Sequence, residues 1–130
     1  MTHKPIICID FDGVIHSYES GWKGADVVPD PPVPGTITFL REAVKHFRVN
    51  VYSSRSGQPG GIDAMKDYIR VAAEAPTWGE GDFTWLDEIE WPTEKPPALV
   101  TIDDRALTFS GNWADYPLGE LAAFKPWNKR

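Results

Sequence analysis

The most constraining feature of the chain is a short apolar run from Ile6 to Ile9 that ends abruptly at Asp10, Asp12 and Gly13. A short apolar run without alternation predicts a β-strand that is buried on both faces, as in parallel sheets. Successive side chains of a strand point to opposite sides, so Asp10 and Asp12 leave the chain on the same side. Two carboxylates held that close together repel each other, and a bound divalent cation is the usual reason for such a pair.

Periodicity along the rest of the chain predicts that helices and strands alternate. In two segments apolar residues recur at intervals of three and four, which is the pattern of amphipathic helices. The predicted elements in chain order are a strand at 6–9, a helix at 35–47, a strand at 49–52, a helix at 61–75, a short helix at 84–90, a strand at 98–102, a short strand at 107–109 and a helix at 118–124. This order predicts a three-layer, Rossmann-like α/β fold, with a mainly parallel central sheet and helices on both faces.

Size, charge and cysteine content restrict the class of protein. The 130 residues fit one domain, spanning 1–130. The net charge of −6 argues against binding of long duplex nucleic acid, which demands clustered Lys and Arg, but leaves a site for a nucleic-acid end open. The single cysteine, Cys8, cannot form an internal disulfide, and no apolar run has the length of a signal peptide core or a membrane span. We therefore expect a cytoplasmic protein with a reduced core thiol and no membrane partner.

Polar side chains follow three of the predicted strands, and the carboxyl ends of parallel strands meet at one edge of a sheet. A lysine shortly before the third strand is close enough in sequence for its long side chain to reach the same edge. The polar residues are Asp10, Asp12, Ser53, Ser54, Arg55, Lys95, Asp103 and Asp104. Carboxylates, a hydroxyl and an ammonium group gathered at one point suit a phosphate group and Mg²⁺.

In chain order, the motif Asp10-x-Asp12-Gly13, a strand followed by Ser53, the pair Lys95-Pro96 and the pair Asp103-Asp104 resemble the haloacid dehalogenase superfamily of phosphotransferases. The resemblance covers nearly the whole chain. It depends on the conjunction of four short motifs, each of which ends or precedes a predicted strand. No gap between the motifs reaches the roughly 50 residues of an independent domain. The resemblance therefore implies a small phosphatase-like member without a cap domain and with an open site.

The resemblance also implies catalytic roles. Asp10 would be the nucleophile that forms an aspartyl-phosphate, and Asp12 would protonate the leaving oxygen and then take a proton from water. Partial burial and nearby carboxylates are expected to keep Asp12 protonated near neutral pH. Lys95 would neutralise the nucleophile and the transferring phosphoryl group. Ser53 would donate a hydrogen bond to a phosphoryl oxygen, with Ser54 as the alternative donor.

The implied cofactor is Mg²⁺, which prefers oxygen ligands in octahedral geometry and keeps several waters. Asp10, the backbone carbonyl of Asp12 and Asp103 would be a sufficient protein set, with Asp104 as a second ligand or as the group that orients a metal-bound water. Either Asp103 or Asp104 could be the main ligand. Arg55 is expected either to bind the substrate phosphate or to pair with an acidic side chain on the surface.

These expectations combine into an Mg²⁺-dependent phosphatase that acts on a nucleotide, a sugar phosphate or a nucleic-acid end. The loop from Tyr18 to Pro34, with Trp22 and Lys23, is predicted to form one wall of the entrance and to touch the leaving group. A second copy of the chain is another way to close the open site. The alternative is a non-catalytic regulatory protein that binds metal or phosphate on the same fold, because a fold does not dictate function.

Two further polar residues lie close to the motifs. His16 is a lone histidine in a loop, which is a weak signal for acid–base chemistry. Arg105 is expected to pair with a neighbouring acidic side chain.

Overall fold

The computed structural model describes residues 3–129, which form a mixed α/β fold around a small parallel sheet. The elements are β1 (Ile6–Ile9), α1 (Thr36–His46), β2 (Arg48–Val51), α2 (Gly61–Glu74), β3 (Val100–Ile102) and α3 (Leu118–Ala122). Short 3₁₀ turns lie at Ala75–Thr77, Thr84–Glu88, Trp113–Asp115 and Trp127–Lys129. The strand order is β2-β1-β3, and both pairs are parallel.

The central position of β1 explains its apolar sequence, because it is flanked by a strand on each side. Its last residue, Ile9, is in register with Val51 of β2 and Ile102 of β3. The ladder continues one step further, since the Asp10 N–H donates to the Ile102 carbonyl at 2.9 Å. The three strands therefore end at the same level, and Asp103 lies beside Asp10 at the start of a common polar edge.

Both long helices form where the apolar spacing predicts them. The buried face of α1 carries Leu40 and Val44, and that of α2 carries Met65 and Ile69. These side chains belong to one core cluster with the apolar side chains of β1 and β2. Within residues 3–129, no helix has both the length and the apolar character needed to cross a membrane.

The two edges of the sheet differ in how they are covered. At the β2 edge, Glu90 pairs with the strand: its N–H donates to the Val49 carbonyl at 2.8 Å, and its carbonyl accepts from the Val51 N–H at 3.0 Å. At the other edge, Val100 and Ile102 of β3 are exposed. The core therefore lies under β1 and β2, and β3 borders it.

Several predicted elements differ from the structure. The predicted strand at 107–109 is wrong, because this segment has no strand partner and Phe109 packs instead against Trp113 and Tyr116, with ring centroids 4.7 and 5.6 Å away. The predicted helix at 84–90 is a 3₁₀ turn that ends at Glu88, and the predicted strand at 98–102 begins only at residue 100. The helix at 118–124 ends at Ala122. Residues 1, 2 and 130 of the predicted domain lie outside the described residues.

Candidate active site

Three carboxylates converge at the polar edge of the sheet. Asp10 follows β1, and Asp103 and Asp104 follow β3, the neighbouring strand. One oxygen from each of the three lies within 4.8 Å of the others. The parallel register brings these groups together although more than ninety residues separate them in the chain.

Close packing around Gly13 holds Asp104 in place. The Asp104 side chain is only 3% exposed, and a Cβ atom at position 13 would collide with its carboxylate. Gly13 also has a φ of +82°, which favours glycine. The indole N–H of Trp127 donates to the Gly13 carbonyl at 2.7 Å, so the last described turn of the chain also contacts this motif.

The negative charge of two of these carboxylates, Asp10 and Asp104, is disfavoured when no cation is present. Burial raises the pKa of Asp10 to about 8, and the negative charges of Asp103 and Asp104 act in the same direction. The pKa of Asp104 is also raised, first of all by burial. Three clustered oxygen donors that repel one another fit a hard divalent cation such as Mg²⁺, which would offset the repulsion. Asp10, Asp103 and Asp104 are therefore the residues that could hold the metal.

Asp12 has the opposite electrostatic environment. Its carboxylate accepts hydrogen bonds from His16 Nδ1 at 2.9 Å and from Arg55 Nε and Nη2 at 2.9 and 3.0 Å. Burial alone would raise the pKa of Asp12, but the hydrogen bonds from His16 and Arg55 outweigh it and lower the pKa. The expectation that Asp12 stays protonated near neutral pH is therefore wrong. Its side chain is also not among the three clustered carboxylates.

His16 is fully buried and bridges Asp12 to the loop that follows β1. The backbone N–H of Asp30 donates to His16 Nε2 at 3.1 Å, so Nε2 is the acceptor and Nδ1 carries the hydrogen that is donated to Asp12. Asp30 is held in turn, because its carboxylate accepts from the N–H and hydroxyl of Ser20 at 2.8 and 2.6 Å. Sequence reasoning missed this role, and the only signal for it is the four-residue spacing between Asp12 and His16.

Arg55 is fully buried and anchors the same loop. Besides its bonds to Asp12, its Nη1 donates to three backbone carbonyls at 2.9 to 3.0 Å, those of Gly24, Ala25 and Val27. Its guanidinium also lies 4.8 Å from the centre of the Trp22 ring. Arg55 therefore pairs with an acidic side chain, but that side chain is Asp12 of the site and not an acid on the surface as expected.

A cavity of about 260 Å³ opens beside the clustered carboxylates. It is lined by Asp10, Asp12, Tyr18, Ser53, Ser54, Asp104 and Arg105. Ser53 is buried and its Oγ accepts from the Arg55 N–H at 3.2 Å, whereas Ser54 is exposed. Both serines line the cavity, so both remain candidates for a donor to a bound anion. From the loop predicted to form the entrance wall, it is Tyr18 that lines the cavity, not Trp22 or Lys23.

Lys95 does not line this cavity. It is exposed, and its charge acts on the Cys8 thiol, lowering a pKa that burial raises. The Leu99 N–H donates to the carbonyl of Ile6, the first residue of β1, at 2.8 Å. The chain just before β3 therefore lies at the end of the sheet opposite to the carboxylates. Among the described residues, no ion pair or hydrogen bond joins Lys95 to Asp10, Asp103 or Asp104, so the predicted contact of Lys95 with the carboxylates is not formed.

Arg105 pairs with Asp104 as expected, with Nε 3.6 Å from the carboxylate.

Comparisons with known proteins add no family to this geometry, because no family model, no curated protein and no solved structure matches the chain.

Proposed function

We propose that the chain is an Mg²⁺-dependent phosphatase of the haloacid dehalogenase type, with Asp10 as its nucleophile. The observation that carries the proposal is the convergence of Asp10, Asp103 and Asp104 at one sheet edge, beside a cavity that Ser53 also lines. A three-layer arrangement with helices on both faces and no cap domain belongs to the same proposal. The substrate would be a phosphate monoester: a nucleotide, a sugar phosphate or a nucleic-acid end.

The reaction divides one displacement into two. An Asp10 oxygen attacks phosphorus; the new O–P bond forms while the ester O–P bond breaks, and the leaving oxygen departs with the electron pair. A water oxygen then attacks the same phosphorus, its proton passes to Asp12, and the bond to Asp10 breaks to release phosphate. When bound by the three clustered carboxylates, Mg²⁺ would supply positive charge that offsets the developing negative charge.

The ionised state of Asp12 suits the second displacement better than the first. A carboxylate held by His16 and Arg55 can accept a proton from water, but it has no proton to give to a leaving oxygen. Phosphate esters whose leaving groups depart as stable anions need no such donor. We therefore expect aryl phosphates to be hydrolysed faster than alkyl phosphates.

Turnover of p-nitrophenyl phosphate in the presence of Mg²⁺ tests the proposal. The wild-type protein should release p-nitrophenol, and Asp10→Asn should lower kcat by about a thousandfold or more, because it removes the nucleophile. Asp63→Asn, an exposed acid in the first turn of α2, is the matched control and should keep the wild-type rate. Equal rates for wild type and Asp10→Asn would refute Asp10 as the nucleophile.

One observation favours a second candidate, a non-catalytic protein that binds a divalent cation and an anion. Lys95 lies outside the cavity, and Asp12 is held as a carboxylate, so two groups of the expected catalytic set are not placed for the first displacement. Calorimetric titration with Mg²⁺ and with inorganic phosphate separates the two candidates. Binding of both, without turnover of any ester in a panel of aryl and alkyl phosphates, would favour the binding protein.

A further inference from the structure

Two residues that line the candidate active site have no role in the proposed phosphoryl transfer. They are Tyr18, from the loop after β1, and Arg105, from the turn after β3. The cavity volume of about 260 Å³ falls just below the roughly 300 to 1,000 Å³ of sites that enclose a drug-sized ligand. The cavity is therefore too small to enclose a whole drug-sized ester, so part of a larger leaving group has to extend past the residues of the rim.

Arg105 is placed as an anion-binding group at this rim. Its backbone N–H donates to Asp103 at 2.8 Å, which fixes the turn, and its Nε lies 3.6 Å from the Asp104 carboxylate. The side chain is nevertheless 60% exposed, so the terminal amino groups of the guanidinium remain open to a ligand. Among the described residues that line the cavity, Arg105 is the only positively charged one. Arg55 does not line it, and its guanidinium binds Asp12 and the loop instead.

Tyr18 is held in an unfavourable backbone conformation beside the same cavity. Its φ is +62°, a value that is uncommon for a bulky residue and costs free energy, and such strain persists where the surroundings impose it, often at functional sites. The ring meets the buried His16 ring edge-on, with centroids 5.8 Å apart. The Tyr18 carbonyl accepts from the Gly21 N–H at 3.2 Å, which closes the turn. The ring is thus held in place at the rim.

We propose that Arg105 and Tyr18 select the leaving group, and that the substrate is a phosphate monoester whose leaving group carries a second anionic group. The guanidinium of Arg105 binds this second anion, because a planar fork of N–H donors matches the two oxygens of a carboxylate or phosphate. Tyr18 packs against the organic part between the two anions. This inference rests on the proposed phosphatase and adds its substrate class.

The test compares two probes that differ in one group, phenyl phosphate and 3-carboxyphenyl phosphate. With wild-type protein and Mg²⁺, kcat/KM for the carboxylated probe should exceed that for phenyl phosphate by about ten- to a hundredfold, the range of a hydrogen-bonded charge pair. Arg105→Ala should abolish this preference, because it should raise KM for the carboxylated probe far more than KM for phenyl phosphate. Arg105→Lys, which keeps the charge but loses the fork, should retain part of it.

Arg48→Ala is the matched control, because Arg48 is also an exposed arginine paired with a carboxylate, that of Glu90, but lies at the start of β2 away from the cavity. It should keep the wild-type preference. Tyr18→Gly should raise KM for both aryl probes, whereas Tyr18→Phe should not. Thermal unfolding of each variant verifies that it is folded.

The outcomes separate the two proposals. Hydrolysis of phenyl phosphate that depends on Asp10, combined with equal kcat/KM for both probes, would overturn the substrate class and keep the phosphatase. An equal loss on both probes in Arg105→Ala would also overturn it, because Arg105 would then only hold Asp104. Hydrolysis of neither probe would overturn the phosphatase and this inference with it.

Discussion

Asp10 and Asp12 stand two residues apart just after β1, yet their surroundings shift the pKa values of their carboxyl groups in opposite directions. Burial, with the charges of Asp103 and Asp104, raises the pKa of Asp10 to about 8, whereas the donors His16 and Arg55 lower that of Asp12. The protonation state of each residue therefore depends on its neighbours in space rather than on its position in the motif. Gly13, the next residue of the motif, is also constrained by a neighbour in space, because the Asp104 carboxylate lies where a Cβ atom would be.

At the residue scale we predict that Gly13 tolerates alanine much less than Gly111 does. Both have positive φ, +82° and +95°, but only Gly13 has a neighbour, the Asp104 carboxylate, where a Cβ would lie. Gly111→Ala should cost about 1–2 kcal/mol for its left-handed backbone. Gly13→Ala should cost more in urea unfolding and should weaken Mg²⁺ binding in calorimetry, because Asp104 has to move. Equal costs for the two variants would contradict the packing described.

Three buried or partly buried polar contacts fix the middle of the loop between β1 and α1. His16 accepts from the backbone N–H of Asp30, and Tyr68 of α2 donates its hydroxyl to the Asp30 carbonyl at 2.8 Å. Arg55 donates to the carbonyls of residues 24, 25 and 27. The loop carries Tyr18 at the cavity, so these contacts set the shape of the candidate site. A buried arginine that satisfies so many acceptors is expensive to remove.

At the element scale we predict a large difference between two arginines. Arg55→Ala removes the guanidinium donors of Asp12 and of three backbone carbonyls and should cost about 3–5 kcal/mol in urea unfolding. Arg48→Ala removes an exposed pair with Glu90, in which the side chains are 54% and 39% exposed, and should cost about 1 kcal/mol or less. Arg55→Ala should also make the loop from Tyr18 to Pro34 susceptible to limited proteolysis. Similar costs for both variants would show that Arg55 does not anchor the loop.

On the scale of the whole molecule, the clustered carboxylates make the folded state dependent on pH and on a divalent cation. An unfolded Asp10 ionises near pH 3.8, but the folded residue keeps its proton up to about pH 8. Between these values the unfolded state binds fewer protons than the folded state, so the free energy of unfolding falls as pH rises. Asp12 acts in the opposite sense, since its lowered pKa stabilises the fold above the pKa of an unfolded aspartate.

We therefore predict that, with a chelator present, Tm of the wild-type protein falls between pH 5 and pH 8. Asp10→Asn should largely remove this fall. Mg²⁺ should raise Tm of the wild-type protein at pH 8, because it binds the folded state alone, and should have little effect on Asp10→Asn. Differential scanning calorimetry measures both effects. A slope with pH that is the same in Asp10→Asn as in wild type would show that another group causes it.

Local patterns were sufficient for much of the fold. The uninterrupted run of β1 and the apolar spacing of α1 and α2 predict these elements to within a residue or so, because each depends on neighbours in sequence. The segment 107–109 has the same apolar character but no partner strand, and Phe109 packs in a local aromatic cluster. Local sequence patterns cannot distinguish a segment that joins a sheet, such as β1, from one that does not, since strand pairing depends on residues far along the chain.

The sequence by itself determined that strands would alternate with helices and that Asp10, Asp103 and Asp104 would follow parallel strands at one edge of a sheet, because element type and side-chain alternation follow from local patterns. Only the tertiary structure placed β3 beside β1. Only the tertiary structure decided that Arg55 and His16 bind Asp12, and that Lys95 lies away from the cavity. The physical reason is that burial and hydrogen-bond partners depend on distances between segments, which no sequence interval encodes.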